Sequence, residues 1–151
     1  MFFEQEVMLF DVEAKTPKEI ITTIAAQLAT KGITKEGFLP HVIAREEEYP
    51  TGLSTEGLGV AIPHTDSKFV NQSQIAFASL KRPVLFRDMV DKNKTVSVSL
   101  IFMIAMASPH EQAGVLSNLM TMFQDTEALK KLNTSESKQD VMRILNQHGI
   151  S

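Results

Sequence analysis

Apolar and polar positions along the chain follow two periods, one typical of helices and one typical of strands. After Thr16-Pro17, apolar side chains recur every three to four residues, and Glu19 is spaced to form a capping box with the threonine. Ser108-Pro109 introduces a second helical stripe with the same start signal. The pattern predicts strands over residues 7–10, 58–62, 74–80, 84–86 and 95–107, and helices over about 17–31, 35–48, 109–123, 125–132 and 137–146.

Helices before, between and after the strands predict an α/β fold. We expect a single domain over residues 1–151, with a mixed β-sheet of about four or five strands flanked by helices. Glycines and hydroxyl side chains crowd residues 50–59, which predicts a loop, and Lys81-Arg82-Pro83 predicts a turn between two separate strands. Pro63 has no N–H to donate, so we expect strand pairing to end there.

Composition and charge narrow the classes of function. The 151 residues include 15 basic and 18 acidic side chains, a net charge of −3, which argues against a nucleic-acid partner. The absence of cysteine excludes disulfides, thiolate metal sites and a cysteine nucleophile. The N-terminus does not resemble an export signal, and the apolar run at 100–107 is shorter than the roughly 18 residues of a membrane span. We therefore expect a cytoplasmic protein without membrane insertion.

The segment Gly59-Val60-Ala61-Ile62-Pro63-His64 presents one of the four histidines directly after a short predicted strand. A residue before proline favours extended backbone, so His64 follows a strand end, and the polar tail Thr65-Asp66-Ser67 comes behind it. Ligand sites collect at strand ends in α/β sheets. On these residues alone, His64 is either a surface histidine in a turn or a member of such a site.

His110 and Arg45 are the other candidates. His110 is the second residue of the helix capped by Ser108 and faces away from its apolar stripe. The free N–H groups and positive dipole end of that first turn favour a bound anion such as phosphate, although a solvated histidine near a cap is the alternative. Arg45 precedes three glutamates, so it is either a paired surface arginine or a guanidinium directed at a phosphoryl or carboxylate group.

Other chemistries lack their residue patterns. The histidines are too widely spaced for an HxxxH-type metal pair, and His41 and His148 are interpreted as solvated. No Walker-type loop or GxSxG elbow is present in the sequence. A histidine nucleophile assisted by a second histidine remains. That pair suits phosphoryl transfer because a neutral imidazole nitrogen forms a labile phosphoramidate.

Glu56 through His64, ending in Ala61-Ile62-Pro63-His64, resembles the active-site segment of fructose/mannitol-type enzyme IIA domains. These domains belong to the bacterial phosphoenolpyruvate-dependent sugar phosphotransferase system. The resemblance covers nearly the whole chain. Similar domains have an arginine some twenty residues before the histidine of the segment, as Arg45 is here. They also have a buried strand that leads to a Pro-His pair and a Leu-x-x-Leu/Met stretch, matched by Pro109-His110, Leu116, Leu119 and Met120.

This resemblance implies a function and a set of partners. His64 would accept a phosphoryl group from the phosphohistidine of the carrier protein HPr and pass it to a cysteine of a IIB subunit, which serves a membrane IIC transporter. His110 would orient the phosphoryl group, and Arg45 would stabilise its charge. The family's step needs no metal or organic cofactor. The chain would be a free-standing, monomeric IIA, and Thr65-Asp66-Ser67 and Val84-Leu85-Phe86 are most similar to the galactitol branch.

Two alternatives stay open. A regulatory IIA-like module of the nitrogen type would use the phosphorylation state of the same histidine to control partner proteins. A non-catalytic adaptor would instead bind partners through residues 84–86. For a carrier, two proteins must reach His64 in turn, so we expect an apolar rim around it. The candidates for that rim are Val60, Ile62, Phe69 and Val70.

Overall fold

The computed structural model describes residues 1–151, and the helix starts predicted after Thr16 and Ser108 are confirmed. Thr16 and Ser108 each accept a hydrogen bond from the N–H three residues further on, and a proline follows each of them in the first turn. The strands are β1 (Met8–Val12), β2 (Gly52–Ser54), β3 (Gly59–Ala61), β4 (Gln74–Arg87) and β5 (Thr95–Ala105). The helices are α1 (Pro17–Thr30), α2 (Phe38–Glu48), α3 (Pro109–Met122), α4 (Thr126–Thr134) and α5 (Lys138–Gln147).

The five strands form one mixed sheet in the order β1-β4-β5-β3-β2. β4 and β5 are antiparallel at the centre, β1 lies parallel to β4, and β3 lies parallel to β5. β2 completes one edge, antiparallel to β3. The predicted α/β domain with a mixed sheet of four or five strands and flanking helices is therefore confirmed.

Two hydrophobic cores lie on opposite faces of the sheet because successive strand side chains point to opposite sides. On β4, Ile75 and Phe77 belong to the core shared with α3, α4 and α5, whereas Ala76 and Ala78 belong to the core shared with α1 and α2. Each core holds 21 buried side chains, so both faces are covered to the same extent. This double coverage explains the continuous apolar sequence of the second half of β5.

Two predictions about the strands are wrong. Residues 74–87 form the single strand β4, not two strands separated by a turn. Lys81–Pro83 is an exposed irregularity where the pairing with β5 shifts register, and an irregularity of this kind accommodates a proline. The predicted loop at 50–59 contains β2, an edge strand of only three residues. Its Gly-Leu-Ser sequence has no strand signal of its own, so its pairing with β3 and a bridge from Gly52 to Asp88 define it.

Close packing of β3 against β5 requires glycine at position 59. A Cβ atom on Gly59 would lie 2.7 Å from the Val96 side chain and 2.8 Å from the carbonyl carbon of Ser97. Real Cβ atoms do not approach backbone that closely, so any other residue would push the strands apart. Gly59 thereby fixes the position of β3 and of the histidine that follows it.

Candidate functional site

His64 follows β3 and lies at the edge of the sheet formed by the C-terminal ends of the parallel strands β3 and β5. Ala61 lies opposite Ile101 in the parallel β3–β5 pair, and His64 pairs with Ile104 three residues further along. The Ile104 N–H donates to the Pro63 carbonyl oxygen over 3.0 Å. The expectation that pairing ends at Pro63 is therefore wrong: proline cannot donate, but its carbonyl still accepts.

The His64 imidazole is buried and held by one hydrogen bond. It is 8% exposed, which excludes a solvated histidine in a surface turn. Its Nδ1 lies 2.7 Å from the Ile62 carbonyl oxygen. Because a carbonyl oxygen only accepts hydrogen bonds, Nδ1 carries the proton, and in the neutral ring Nε2 keeps the lone pair.

The surroundings of His64 keep that ring neutral. Burial lowers the pKa of His64 below 6.5; the hydrogen bond to Ile62 opposes this shift, and the nearby charge of Arg45 adds to it. At pH 7 the imidazole is therefore unprotonated at Nε2. An imidazole in this state is able to act as a nucleophile.

A cleft of ≈ 430 Å³ borders His64. The end of α2 and the residues after it form one wall, and the turn between β4 and β5 forms the other. The lining residues are Arg45, Glu48, Tyr49, Pro50, Thr51, His64, Met89, Val90 and Lys92. With two cationic side chains and one carboxylate beside a neutral imidazole, the cleft suits an anionic group.

Arg45 lies in this cleft and is not engaged by the glutamates that follow it. Its guanidinium carbon is 5.5 Å from the centroid of the Tyr49 ring, within the range of a cation–π contact. None of the ion pairs of the chain includes Arg45. Arg45 is therefore an exposed arginine without an ion-pair partner, and the structure brings it and His64 into one cleft.

His110 lies in the first turn of α3, immediately beyond the end of β5. Since β3 and β5 are parallel, His110 and His64 follow the same edge of the sheet. The His110 side chain is exposed and lies outside the apolar core, as its helical position predicted. It does not line the cleft that Arg45 and His64 share.

Glu46 and Thr51 are two buried polar residues of this region that the sequence reasoning missed. Glu46 Oε2 accepts from the Thr51 N–H, and Glu46 Oε1 accepts from the Thr51 hydroxyl, both over 2.7 Å. The same hydroxyl accepts from the Ile62 N–H over 3.2 Å. A signal for Glu46 exists in the sequence, because it follows Phe38 and Val42 at four-residue intervals and so continues the buried stripe of α2.

The surroundings of Glu46 change the pKa of its carboxyl group strongly. Burial raises its pKa from 4.5 to about 7, although both hydrogen bonds from Thr51 and the charge of Arg45 act in the opposite direction. Glu46 therefore changes its protonation state near neutral pH, next to the segment that carries His64.

The two remaining histidines differ from each other. His41 is exposed, as expected, with its Nδ1 2.7 Å from the Gly37 carbonyl oxygen. His148 is not freely solvated, because both of its ring nitrogens are bonded. Nδ1 lies 2.9 Å from the Ile144 carbonyl oxygen, and Nε2 lies 2.9 Å from Asp125 Oδ2. The expectation of a solvated His148 is wrong, since the chain's last turn brings it against the cap of α4.

The apolar rim of the His64 cleft also differs from the expected one. Val60, Ile62 and Val70 are buried in the cores. The apolar side chains that border the cleft are Tyr49, Met89 and Val90, of which Tyr49 is 59% and Val90 87% exposed. They come from the end of α2 and the β4–β5 turn, which the sequence pattern did not associate with His64.

Fold and cleft together define an α/β domain that offers a neutral histidine and an unpaired arginine to an anionic group. The family described as "Phosphoenolpyruvate-dependent sugar phosphotransferase system, EIIA 2" matches residues 1–148. The chain belongs to this family, which confirms the resemblance seen in the sequence.

Individual relatives agree with this assignment. The galactitol-specific EIIA component of Escherichia coli (strain K12) is 30% identical over 116 residues, 77% of each chain. The mannitol enzyme IIA in its complex with phosphorylated mannitol enzyme IIB, from Escherichia coli, has the same fold at a TM-score of 0.77 and 21% identity, covering 94% of this chain and 95% of that one. The nitrogen regulatory protein IIA-Ntr of Neisseria meningitidis has a TM-score of 0.69 at 26% identity, covering 92% of both chains.

The length and hydropathy of the helices bear on membrane contact. None of them combines the length and the apolar character that crossing a bilayer requires.

Proposed function

We propose that this chain is a phosphocarrier IIA component that uses His64 as its phosphoryl acceptor. Membership of the EIIA family supports a role in phosphoryl transfer. The observation that carries the assignment to His64 is its neutral imidazole, bound through Nδ1 to Ile62 and bordering the cleft that contains Arg45. No other histidine of the chain combines these features.

In the first step, the Nε2 lone pair of His64 attacks the phosphorus of the phosphohistidine of HPr. An Nε2–P bond forms, the N–P bond of HPr breaks, and the HPr imidazole takes back the electron pair. In the second step, a cysteine thiolate of IIB attacks the same phosphorus. An S–P bond forms, the Nε2–P bond breaks, and His64 returns to its neutral state. Nε2 is the reacting atom because Nδ1 carries the proton that binds Ile62.

Arg45, Lys92 and His110 have supporting roles in the proposal. The guanidinium of Arg45 binds the equatorial phosphoryl oxygens, and Lys92 adds a second positive charge in the same cleft. His110 orients the phosphoryl group from the first turn of α3, at the sheet edge that His64 also follows. No step requires a metal or an organic cofactor, because the charge of the phosphoryl oxygens is met by these side chains.

The proposed partners are HPr and a cognate IIB subunit, and through IIB a membrane IIC transporter. The exposed side chains of Tyr49 and Val90, with the half-buried Met89 between them and the core, give both partners an apolar surface beside His64. Transient encounters of this kind need only a modest interface. A cytoplasmic monomer suffices, because one histidine serves the two partners in turn.

Galactitol is the sugar that we propose for the relay. The support is the 30% identity with the galactitol-specific EIIA component over 77% of the chain. The IIA step itself does not contact the sugar, so specificity follows from which IIB accepts the phosphoryl group. Mixing the phosphorylated protein with purified IIB subunits for galactitol, mannitol and fructose tests this. Preferential transfer to another IIB would exclude galactitol as the sugar of this relay.

A regulatory module is the second candidate function. It is favoured by the structural similarity to the nitrogen regulatory protein IIA-Ntr, at 26% identity. In that case His64 is still phosphorylated, but its phosphorylation state controls other proteins and no dedicated IIB discharges it. Rapid discharge by a IIB cysteine argues for the carrier, and stable phosphorylation in the presence of every IIB argues for the regulator.

The primary test is incubation with phosphoenolpyruvate, enzyme I and HPr. We expect an adduct that is labile in acid and stable in base, and a shift of the His64 Nε2 resonance in ¹⁵N NMR. His64→Ala should remove the adduct, and His41→Ala should not. Absence of an adduct on the unmodified protein, or full labelling of His64→Ala, would exclude the proposed acceptor.

His110→Ala tests the orienting role. We expect this variant to be labelled and then to pass the phosphoryl group to IIB more slowly than the unmodified protein. Onward transfer at an unchanged rate would contradict the orienting role and leave His110 interpreted as a solvated histidine near a cap.

A further inference from the structure

A continuous chain of hydrogen bonds joins helix α2 to the His64 imidazole. Glu46 holds Thr51 through both carboxylate oxygens, with the Thr51 N–H and hydroxyl each donating over 2.7 Å. The Thr51 hydroxyl accepts from the Ile62 N–H over 3.2 Å. On the other side of the same residue, the Ile62 carbonyl oxygen accepts from His64 Nδ1 over 2.7 Å. Ile62 is thus fixed through its N–H and binds the imidazole through its carbonyl.

This connection compensates for the end of regular strand pairing. The antiparallel β2–β3 ladder pairs Gly52 with Ala61, so Thr51 comes opposite Ile62 in the same register. There the Thr51 side chain, in place of a backbone carbonyl, takes the Ile62 N–H. Thr51 and Ile62 are 3% and 2% exposed, so water cannot replace these hydrogen bonds.

We propose that Glu46 and Thr51 are positioning residues that hold the Ile62 carbonyl, and through it His64, with Nε2 directed at the phosphoryl group. This inference rests on the proposed phosphocarrier function. Neither side chain reacts with the phosphoryl group. Their effect is to fix the tautomer and the direction of the imidazole before the partner docks, because small misplacement of a nucleophile costs large factors in rate.

The charges around Glu46 indicate that hydrogen bonding, not net charge, is what it contributes. Lys18 from α1, Arg87 from β4 and Glu47 from α2 line, together with Glu46, a second cleft that is separate from the His64 cleft. Arg45 is the sequence neighbour of Glu46, and its charge acts on the carboxyl group. These cations do not form an ion pair with Glu46. A neutral side chain of the same shape is therefore expected to do the same positioning.

Two matched pairs of variants test the proposal. Thr51→Val removes the hydroxyl at constant shape, and Thr51→Ser keeps it. Glu46→Met removes both acceptors at similar volume, and Glu46→Gln keeps one acceptor for the Thr51 N–H and donates to its hydroxyl oxygen. The measurements are kcat and KM for phosphoryl transfer from phospho-HPr, and the ¹⁵N spectrum of His64 in the unphosphorylated protein at pH 7.5.

We expect Thr51→Val and Glu46→Met to lower kcat at least about 10-fold with KM changed less than about two-fold. The His64 spectrum of both should change from a single Nδ1–H tautomer to a mixture. Thr51→Ser and Glu46→Gln should keep the single tautomer and most of kcat. Amide spectra of all four variants separate loss of fold from loss of position.

Three outcomes overturn the proposal. One is an unchanged tautomer and kcat in Thr51→Val and Glu46→Met. Another is a loss in Thr51→Ser or Glu46→Gln as large as in their partners, which would assign the effect to packing or to charge. The third is a loss of fold in Thr51→Val and Glu46→Met, which would make the pair structural. Because the ¹⁵N readout needs no phosphoryl donor, it decides the positioning role even if the protein accepts no phosphoryl group.

Discussion

His64 and His148 have the same side chain, but their environments shift its pKa in opposite directions. Burial lowers the pKa of His64, and only its Nδ1 has an acceptor. The pKa of His148 is raised, chiefly by its hydrogen bond to the Ile144 carbonyl and also by Asp125, against a smaller effect of burial. At His64 desolvation dominates, and at His148 hydrogen bonding to the charged ring dominates.

The carboxyl groups of the two regions repeat this difference. Burial raises the pKa of Glu46 to about 7, whereas hydrogen bonds from the Ala128 N–H and His148 lower the pKa of Asp125. Near the cleft, the pKa shifts of His64 and Glu46 favour the neutral forms of both side chains. At the C-terminal corner, where His148 meets Asp125, the pKa shifts of these two residues favour their charged forms. The neutral imidazole is the form that a nucleophile needs, and the charged pair is the form that fastens α5 to the cap of α4.

The largest expected effect concerns the backbone beneath His64. Gly59→Ala should destabilise the protein by about 3 kcal/mol or more, because the added Cβ would meet the backbone of Ser97 and cannot move away. Gly114→Ala is the matched change in the helical layer, where a Cβ meets nothing within 4 Å. It should stabilise α3 by up to about 1 kcal/mol. Urea unfolding of both variants measures this, and equal tolerance would show that β3 and β5 can separate.

Glu46→Gln should change how stability depends on pH. A carboxyl whose folded pKa is raised from 4.5 to about 7 favours the folded state below pH 4.5, and this contribution is lost as the pH rises to about 7. The loss amounts to roughly 3 kcal/mol for a shift of this size. The free energy of unfolding of Glu46→Gln should therefore fall less than that of the unmodified protein between these pH values. Glu47→Gln, at the exposed neighbouring position, is the control; the same slope in both variants would contradict the raised pKa.

Arg45→Ala should slow phosphoryl transfer by about 10²-fold with little change in stability, since the guanidinium forms no ion pair in the free protein. Arg143→Ala removes an arginine from the C-terminal region, where it pairs with Asp140, and should leave the transfer rate unchanged. Assays of phosphoryl transfer from phospho-HPr, stopped at set times, compare the transfer rates of the two variants. An unchanged rate in Arg45→Ala would contradict the role of Arg45 in stabilising the phosphoryl group and leave His64 without its help.

The smallest effect is expected at the C-terminal corner. Asp125→Asn keeps an N-cap acceptor for α4 but removes the charge, so the pKa of His148 should fall toward 6.5 while that of His64 stays unchanged. The His148 contribution to stability is present in full below pH 6.5 and is lost as the pH rises through its folded pKa. NMR titration of the two histidines measures both values. A matching shift of His64 would mean that the two regions are coupled.

Much of the fold was predictable because its signals are local. Thr16 and Ser108 cap their helices through contacts within three residues, so the sequence pattern was sufficient to find both starts. The continuity of β4 through Pro83 and the existence of β2 were not predictable. Both depend on pairing with the next strand of the sheet, which residue types within the segment do not specify.

The candidate site divides in the same way. His64 and Arg45 were selected as candidates from their residue types and from the resemblance to the enzyme IIA family. Their common cleft, and the apolar rim of Tyr49, Met89 and Val90, depend on how α2 and the β4–β5 turn meet. His110 was correctly predicted to lie outside the core, and its role stays a prediction.

The sequence by itself determined the class of fold, the helix starts and the one histidine that follows a short strand and a proline. Only the tertiary structure decided which nitrogen of that histidine is free, because the acceptor of the other, Ile62, is fixed by Thr51 and Glu46. The physical reason is that protonation and orientation depend on burial and on hydrogen bonds between segments. Those are set when α2, β2 and the end of β3 pack together, and no pattern within one of these segments specifies them.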